Sequence, residues 1–309
     1  MKVVDVEKHF KDNDGEMFKA LNKVSLTLFE NESISIVGES GCGKSTAARL
    51  ICKLLPVDHG KLFFEGRDIT DMKHRERKEY YKHVQMIFQE PYNTFSKRMK
   101  IKQYMIEPYI NFRLMGRREA YSYCTSLLEN VGLNDTFMDR YAGQLSGGEL
   151  QRVTIARTMG LNPKMVVYDE CTSALDVSIQ KQVIDLILDL KKRNSFSSIF
   201  ITHDLALAEN ISDRIYVMYF GKIVETLSGN DIVEKSRHPY SKALIRSVLS
   251  LSNYNEPVEL KDLSKKNDYS GRGCMYAPIC GYSTERCFHE EPVLSDEENP
   301  VACFNPVLG

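Results

Sequence analysis

The sequence has almost no net charge, no long apolar run and no internal repeat or low-complexity tract. Its 41 Lys and Arg against 42 Asp and Glu leave −1 over 309 residues. Without a global basic field, neither nucleic acid nor an anionic membrane surface is indicated as a partner, and specificity must come from local sites. Nowhere do about 18 apolar residues run together, as a membrane-spanning helix requires. The opening residues MKVVDVEKHF carry charges at Lys2, Asp5, Glu7 and Lys8, which interrupt the apolar stretch that a signal peptide needs. A chain this long buries a sizeable core without covalent staples, so eight cysteines do not make it a cysteine scaffold. A cytosolic setting is expected, with those cysteines as reduced thiols, catalytic groups or metal ligands rather than disulfides.

What is present is an alternation. Short β-rich runs, SLTLF, SISIVG, MVVYDE and SSIFITHD, are separated by helical patterns such as STAARLICKLL and VIDLILDLKKR, which predicts an α/β architecture. SISIV and MVVY are nearly all apolar and β-branched, as strands covered on both faces should be. From about 90 to 160 helix dominates, which predicts an inserted helical subdomain. After Leu251 the text turns polar and irregular and reads as a linker. A cysteine-rich segment follows it.

The stretch ISIVGESGCGKSTAARL carries Gly38, Gly43, Lys44 and Ser45 in the pattern G-x-x-x-x-G-K-[ST], between a strand pattern and a helix pattern. Glycines there let backbone N–H groups of residues such as Glu39, Ser40, Gly41, Cys42 and Thr46 turn toward phosphate oxygens, and the helix adds its N-terminal dipole. Lys44 is placed to reach the terminal phosphates and the Ser45 hydroxyl to hold Mg²⁺. A thiol at Cys42 gains acidity from a helix N-terminus, but a small residue tolerated in a backbone-lined loop is the simpler reading.

The strand MVVY ends in Asp169 and Glu170, two carboxylates where open α/β sheets meet their ligands. Because neighbouring strand residues point opposite ways, they are expected to divide the work. Asp169 suits Mg²⁺ and Glu170 suits an attacking water. His203, just past FIT, is placed to donate to a γ-phosphate or to steady the base.

Ahead of the acidic pair lies QLSGGELQRVTIAR, and here the chain resembles the ATP-binding cassette (ABC) ATPases. Leu145 to Glu149 is similar to their LSGGQ signature, Ser173 to Asp176 to the loop after the acidic strand, Gln89 to the glutamine that couples nucleotide to transporter, and Phe10 to the aromatic that stacks on adenine. These landmarks run in family order over about 240 residues. The resemblance implies a P-loop NTPase cassette over 1–250, a RecA-like core with an antiparallel β subdomain and a helical subdomain. It also implies two cassettes sandwiching two ATP molecules, each site joining Lys44, Ser45, Asp169, Glu170, His203 and Gln89 of one chain to Ser146, Gly147, Gly148, Glu149 and Asp176 of the other. The usual signature ends in glutamine. Glu149 instead adds a carboxylate near polyphosphate, and retained function is expected because Ser146, Gly147 and Gly148 are intact.

RHPYSKALIRSVLSL, Arg237 to Leu251, resembles the segment after the cassette in oligopeptide and dipeptide importers, a group that also serves nickel, metal chelates and some sugars. It is more like the F-type ATPase that pairs with a D-type partner than a generic exporter cassette. That implies a heterodimer on the cytoplasmic face of the cell membrane, beneath two permease subunits and fed by an extracellular binding protein. Rivals are a soluble cassette of DNA repair or translation, which lacks support because the chain has neither a long coiled-coil insertion nor a second cassette, and a cassette that binds ATP without hydrolysing it, which Glu170 opposes. In the tail, 251–309, Cys274, Cys280, Cys287 and Cys303 are spaced C-x5-C-x6-C-x15-C. Four thiolates serve zinc or an iron–sulfur cluster. No C-x₂₋₄-C pair is present, so the wider spacing suits a larger cluster better than zinc, with no metal as the remaining alternative. The resemblance points to [4Fe-4S], with a structural role preferred to redox sensing. Cys52, Cys124 and Cys171 are read as packing residues.

Overall fold

The computed structural model describes the chain except residues 13, 91, 93, 94, 97, 230, 231, 253–271, 308 and 309. The expected linker after Leu251 falls mostly on 253–271 and lies outside the described residues.

Two sheets organise the chain. The larger has the order β10-β9-β3-β8-β7-β6, with β3 at Ser33–Val37, β6 at Val84–Ile87, β7 at Met165–Asp169, β8 at Ser197–Thr202, β9 at Arg214–Tyr219 and β10 at Lys222–Ser228. Its strands pair in parallel except for the β9–β10 hairpin. Every residue of β3, β7 and β8 is buried, as their apolar, β-branched text predicts for strands covered on both faces. The smaller sheet is antiparallel, in the order β2-β1-β4-β5, from β1 (Lys2–Lys11), β2 (Met17–Thr27), β4 (His59–Phe64) and β5 (Arg67–Asp68). Val3, Val6, Leu21 and Val24 of this sheet share one core with Ile34, Ile36 and helix α1 (Lys44–Ile51). Only Ser25 to Thr27 of the run SLTLF belong to a strand, as the end of the longer β2, and Leu28 and Phe29 lie beyond it. Lys23, at a φ of +52°, breaks the regular backbone within that strand.

Helices α2 (His74–His83), α3 (Ile101–Asn111), α4 (Arg117–Asn130), α5 (Gly147–Met159), α6 (Val177–Asn194), α7 (Leu205–Ile211), α8 (Ile232–Lys235), α9 (Pro239–Ser252) and α10 (Glu285–His289) complete the described chain. Between about 90 and 160, α3, α4 and α5 bury a separate core that includes Met105, Cys124, Leu128 and Leu150. In α6, Val183, Ile184, Ile187 and Leu190 are buried on one face, and Lys191, Lys192 and Arg193 occupy the last turn, where cations suit the helix dipole.

The C-terminal residues fasten to the edge of the larger sheet. Thr226 donates to the Pro300 carbonyl at 2.9 Å and Ala302 donates to that of Val224 at 2.8 Å. The backbone of β10 is thus partly paired by the tail, which blunts an otherwise open edge. Among the described residues no helix is long and apolar enough to cross a membrane.

Candidate active site

The phosphate loop leaves β3 at Gly38 and enters α1 at Lys44. Two of its glycines, Gly38 and Gly43, are required by contact as much as by flexibility. A Cβ on Gly38 would lie 2.2 Å from the Met218 carbonyl oxygen, and one on Gly43, which has a φ of +110°, would lie 2.5 Å from that of Ala20. Strands β9 and β2 thus press the loop from two sides. Lys44 is buried, and its ammonium donates to the carbonyls of Gly38 at 2.7 Å and Glu39 at 2.8 Å. Cys42 is buried too, and burial pushes its thiol up although Lys44 pulls the other way. That agrees with a packing role.

Ser45 donates its hydroxyl to Asp169 at 2.8 Å, so the structure brings together the two oxygen donors expected to hold Mg²⁺. Burial pushes the Asp169 carboxyl upward, with Ser45, Arg49 and Lys44 opposing it; a divalent cation there would favour the ionised form. Glu170 follows with a φ of +46°, a left-handed backbone that is costly for a residue with a Cβ and that clusters at functional sites. Its carboxylate accepts from the Gln89 amide at 2.9 Å and lies 3.8 Å from Nδ1 of the exposed His203. The two acids do face different partners. The left-handed turn at Glu170 contributes to that division alongside strand alternation, a feature no residue pattern announces.

Gln89 also approaches the Ser173 hydroxyl, at 3.4 Å, which places it on the Glu170 side of the site. Phe10 and Phe18 face each other across β1 and β2, their ring centroids 6.1 Å apart. Phe18, half-exposed, was not singled out by sequence, although an aromatic opposite Phe10 is visible once the strand register is known.

The signature begins a helix, α5. Ser146 caps α5, and its hydroxyl accepts from the Glu149 N–H. The Glu149 carboxylate accepts in return from the Ser146 N–H at 2.7 Å and its hydroxyl at 2.9 Å. This reciprocal capping box uses the carboxylate inside its own helix end. A Cβ on Gly148 would lie 2.5 Å from Ile179, and one on Gly147 3.2 Å from Leu175, so the two glycines let α5 approach the start of α6. Asp176, the residue before α6, is exposed, and Val177 beside it is 84% exposed.

Cys274, Cys280, Cys287 and Cys303 all line one small cavity, whose free space is about 10 Å³. Backbone N–H groups approach each sulfur: Tyr276 and Ala277 at Cys274, Tyr282 at Cys280 at 3.4 Å, Thr284 at Cys287 at 3.5 Å and Asn305 at Cys303. Burial still pushes the Cys274, Cys280 and Cys303 thiols up, the last to about 11. Among the described residues no three or more His, Cys, Asp or Glu side chains are grouped closely enough to hold one metal ion. Cys52, Cys124 and Cys171 are buried packing residues.

A phosphate loop on a largely parallel sheet, an acidic pair at the end of the strand next but one and an LSGG-type helix start after a helical insert define an ATP-binding cassette ATPase. A model of the ABC transporter family matches residues 21–173, and one of the oligopeptide/dipeptide transporter C-terminal region matches residues 224–287. The oligopeptide transport ATP-binding protein AppF of Bacillus subtilis is 36% identical over 312 residues, covering 97% of this chain and 95% of that protein. OppF of Salmonella typhimurium is 36% identical over 320 residues, covering 98% and 95%. Among solved structures, the dimeric post-hydrolysis state of the ATP-binding cassette MJ0796 bound to ADP and Pi matches with a TM-score of 0.67 at 26% identity, over 74% of this chain and 98% of that one. The chain belongs to the ABC transporter ATP-binding family, in the branch of oligopeptide and dipeptide transport ATP-binding proteins.

Proposed function

We propose that the chain is the ATP-hydrolysing subunit that energises import of oligopeptides or dipeptides through a membrane transporter. The observation that carries the reading is the union, in one chain, of an assembled hydrolysis set with the C-terminal region matched at 224–287. Residues 1–250 form the cassette and 251–309 the importer extension. The phosphate loop binds the ATP phosphates through its backbone N–H groups and Lys44, and Phe10 stacks on adenine. Ser45 and Asp169 fit Mg²⁺, which when bound neutralises phosphate charge. Glu170 accepts a proton from the attacking water as the new O–P bond forms and the bond to ADP breaks; Gln89 and His203 orient base and phosphate.

Ser146, Gly147 and Gly148 serve the ATP of a second cassette, a D-type subunit, so that ATP closes the dimer and hydrolysis opens it. The exposure of Asp176 and Val177 supports this use of the face. The dimer sits on the cytoplasmic side of the membrane beneath two permease subunits, which a binding protein supplies. Co-expression tests the assignment: the chain fractionates with membranes when the permease subunits are present and remains in the soluble fraction without them. A soluble pool in both cases contradicts it.

For the cysteine cavity we favour a [4Fe-4S] cluster. Tetrahedral zinc needs sulfurs roughly 3.8 Å apart, given Zn–S near 2.3 Å. What supports the reading is that all four cysteines line one cavity and that N–H groups directed at sulfur are a recognised means of tuning clusters. Anaerobic purification is expected to yield a brown chain with about four irons and four sulfides per molecule. Stoichiometric zinc without colour contradicts the cluster.

A further inference from the structure

Tyr240 lies 201 residues from Glu39 in sequence, yet its hydroxyl accepts a hydrogen bond from the Glu39 N–H at 2.9 Å. The same Glu39 offers its carbonyl to Lys44 at 2.8 Å. One peptide segment of the phosphate loop is therefore held by Tyr240 on one side and holds the phosphate-binding lysine on the other. Nearby, the Gly221 N–H donates to the Cys42 carbonyl at 2.8 Å, so the end of β9 and the start of α9 fix the loop together.

Tyr240 is itself fixed by the tail. Its ring lies 4.5 Å from that of Tyr219 and 5.6 Å from that of Tyr276, and Tyr219 and Tyr276 are 5.3 Å apart, a closed aromatic triangle. Tyr276 stands two residues after Cys274, and its N–H approaches that sulfur. A second connection runs through His238. The Tyr240 N–H lies 3.0 Å from His238 Nδ1; as the backbone can only donate, Nδ1 accepts, and the neutral ring carries its proton on Nε2. His238 is 1% exposed, and burial lowers its pKa to about 4. Its Nε2 makes no hydrogen bond of ordinary geometry, although the Ala302 backbone lies close. The ring also lines the cavity of the four cysteines. A buried donor without an acceptor is costly, and no cysteine sulfur lies within hydrogen-bonding reach of this one.

We propose that His238 and Tyr240 are positioning residues for the phosphate loop, and that through them the state of the cysteine cavity sets how tightly the ATP site holds nucleotide. His238 borders the cavity that the cysteines line, Tyr240 holds Glu39, and Glu39 holds Lys44. The route is contiguous, from cavity to ring to backbone to catalytic cation. The link rests on the gathered cysteines and not on the metal proposed for them.

The test uses the full-length chain. Tyr240→Phe keeps the aromatic triangle and removes the acceptor at Glu39. It is expected to raise the KM for ATP about three- to tenfold with kcat at saturation within about twofold. An unchanged KM, or a kcat that falls alone, overturns the proposal. The second arm is a double-mutant cycle read by MgADP binding. His238→Asn keeps a side-chain oxygen able to accept from the N–H two residues on but no longer reaches the cavity. Cys280→Ser is expected to weaken MgADP binding at least about threefold in the native background and by clearly less with His238→Asn, a non-additive result. Equal shifts in both backgrounds overturn the link even if Tyr240→Phe folds poorly. Metal analysis of the same preparations separates the two readings: a metal-free chain that still gives the non-additive cycle keeps the link and loses the cluster.

Discussion

Glu170→Gln is expected to lower ATP turnover by at least about a hundredfold while leaving MgADP affinity within about threefold, because a positioned general base supplies about 10²–10⁴ in rate. The amide has nearly the same shape and can still hydrogen-bond to Gln89, which donates to Glu170 at 2.9 Å. What it cannot do is take a proton from water. The phosphate loop, Lys44 and the Ser45–Asp169 pair are untouched, so binding and chemistry separate cleanly. Phosphate release and equilibrium MgADP binding on one preparation check the split. Turnover within a few-fold of the native chain would move the base to another residue, with His203, 3.8 Å away, the first to examine.

The second large effect is expected at Gly38. Its added Cβ would stand 2.2 Å from the Met218 carbonyl oxygen and 2.9 Å from the Cys42 sulfur. Backbone on the β9 side cannot rotate out of the way, so the loop itself must shift. Overpacking of this kind costs about 1–3 kcal/mol. The shift also moves the Gly38 carbonyl that holds Lys44 at 2.7 Å. Gly38→Ala is therefore expected to lose at least about tenfold in MgADP affinity along with that stability. Gly41→Ala is the internal control: its Cβ meets nothing within 4 Å, and only its φ of +79° is strained, worth about 1–2 kcal/mol. Denaturant unfolding and nucleotide binding of both variants check the ranking. A Gly38→Ala chain that binds nucleotide as well as Gly41→Ala contradicts the close-packed loop.

The nucleotide half of the site was legible because its chemistry is written in short spacings. Gly38 to Ser45 spans one turn between a strand and a helix, and Asp169 and Glu170 end a strand whose burial the residues themselves announce. Local sterics and periodicity then place the groups with little help from the rest of the chain. The pairing of Ser45 with Asp169 needs only that two parallel strands end on the same side of a sheet.

Other features depend on contacts that no spacing encodes. The left-handed backbone at Glu170 is strain held by its surroundings, and Glu in sequence gives no sign of it. Glu149 read as a stray carboxylate near polyphosphate, whereas the capping box gives that carboxylate two donors at the start of its own helix. Its position as the third residue of α5 after a serine was in fact a local signal for that role. Tyr240 was invisible as a neighbour of Glu39, since 201 residues separate them and only the docking of α9 against β9 brings them together. The four cysteines were legible as a group, but their shared cavity depends on how the tail fastens along β10.

The central claim, that this chain turns ATP hydrolysis into peptide movement, is tested most directly by uptake of a labelled oligopeptide into membrane vesicles. The vesicles carry the permease subunits and the partner ATPase, with binding protein outside and ATP inside. Uptake is predicted with the native chain and loss of at least about a hundredfold in initial rate with Glu170→Gln, at equal membrane-bound protein. Uptake that persists at the native rate with Glu170→Gln, or that proceeds without the chain, would contradict the account.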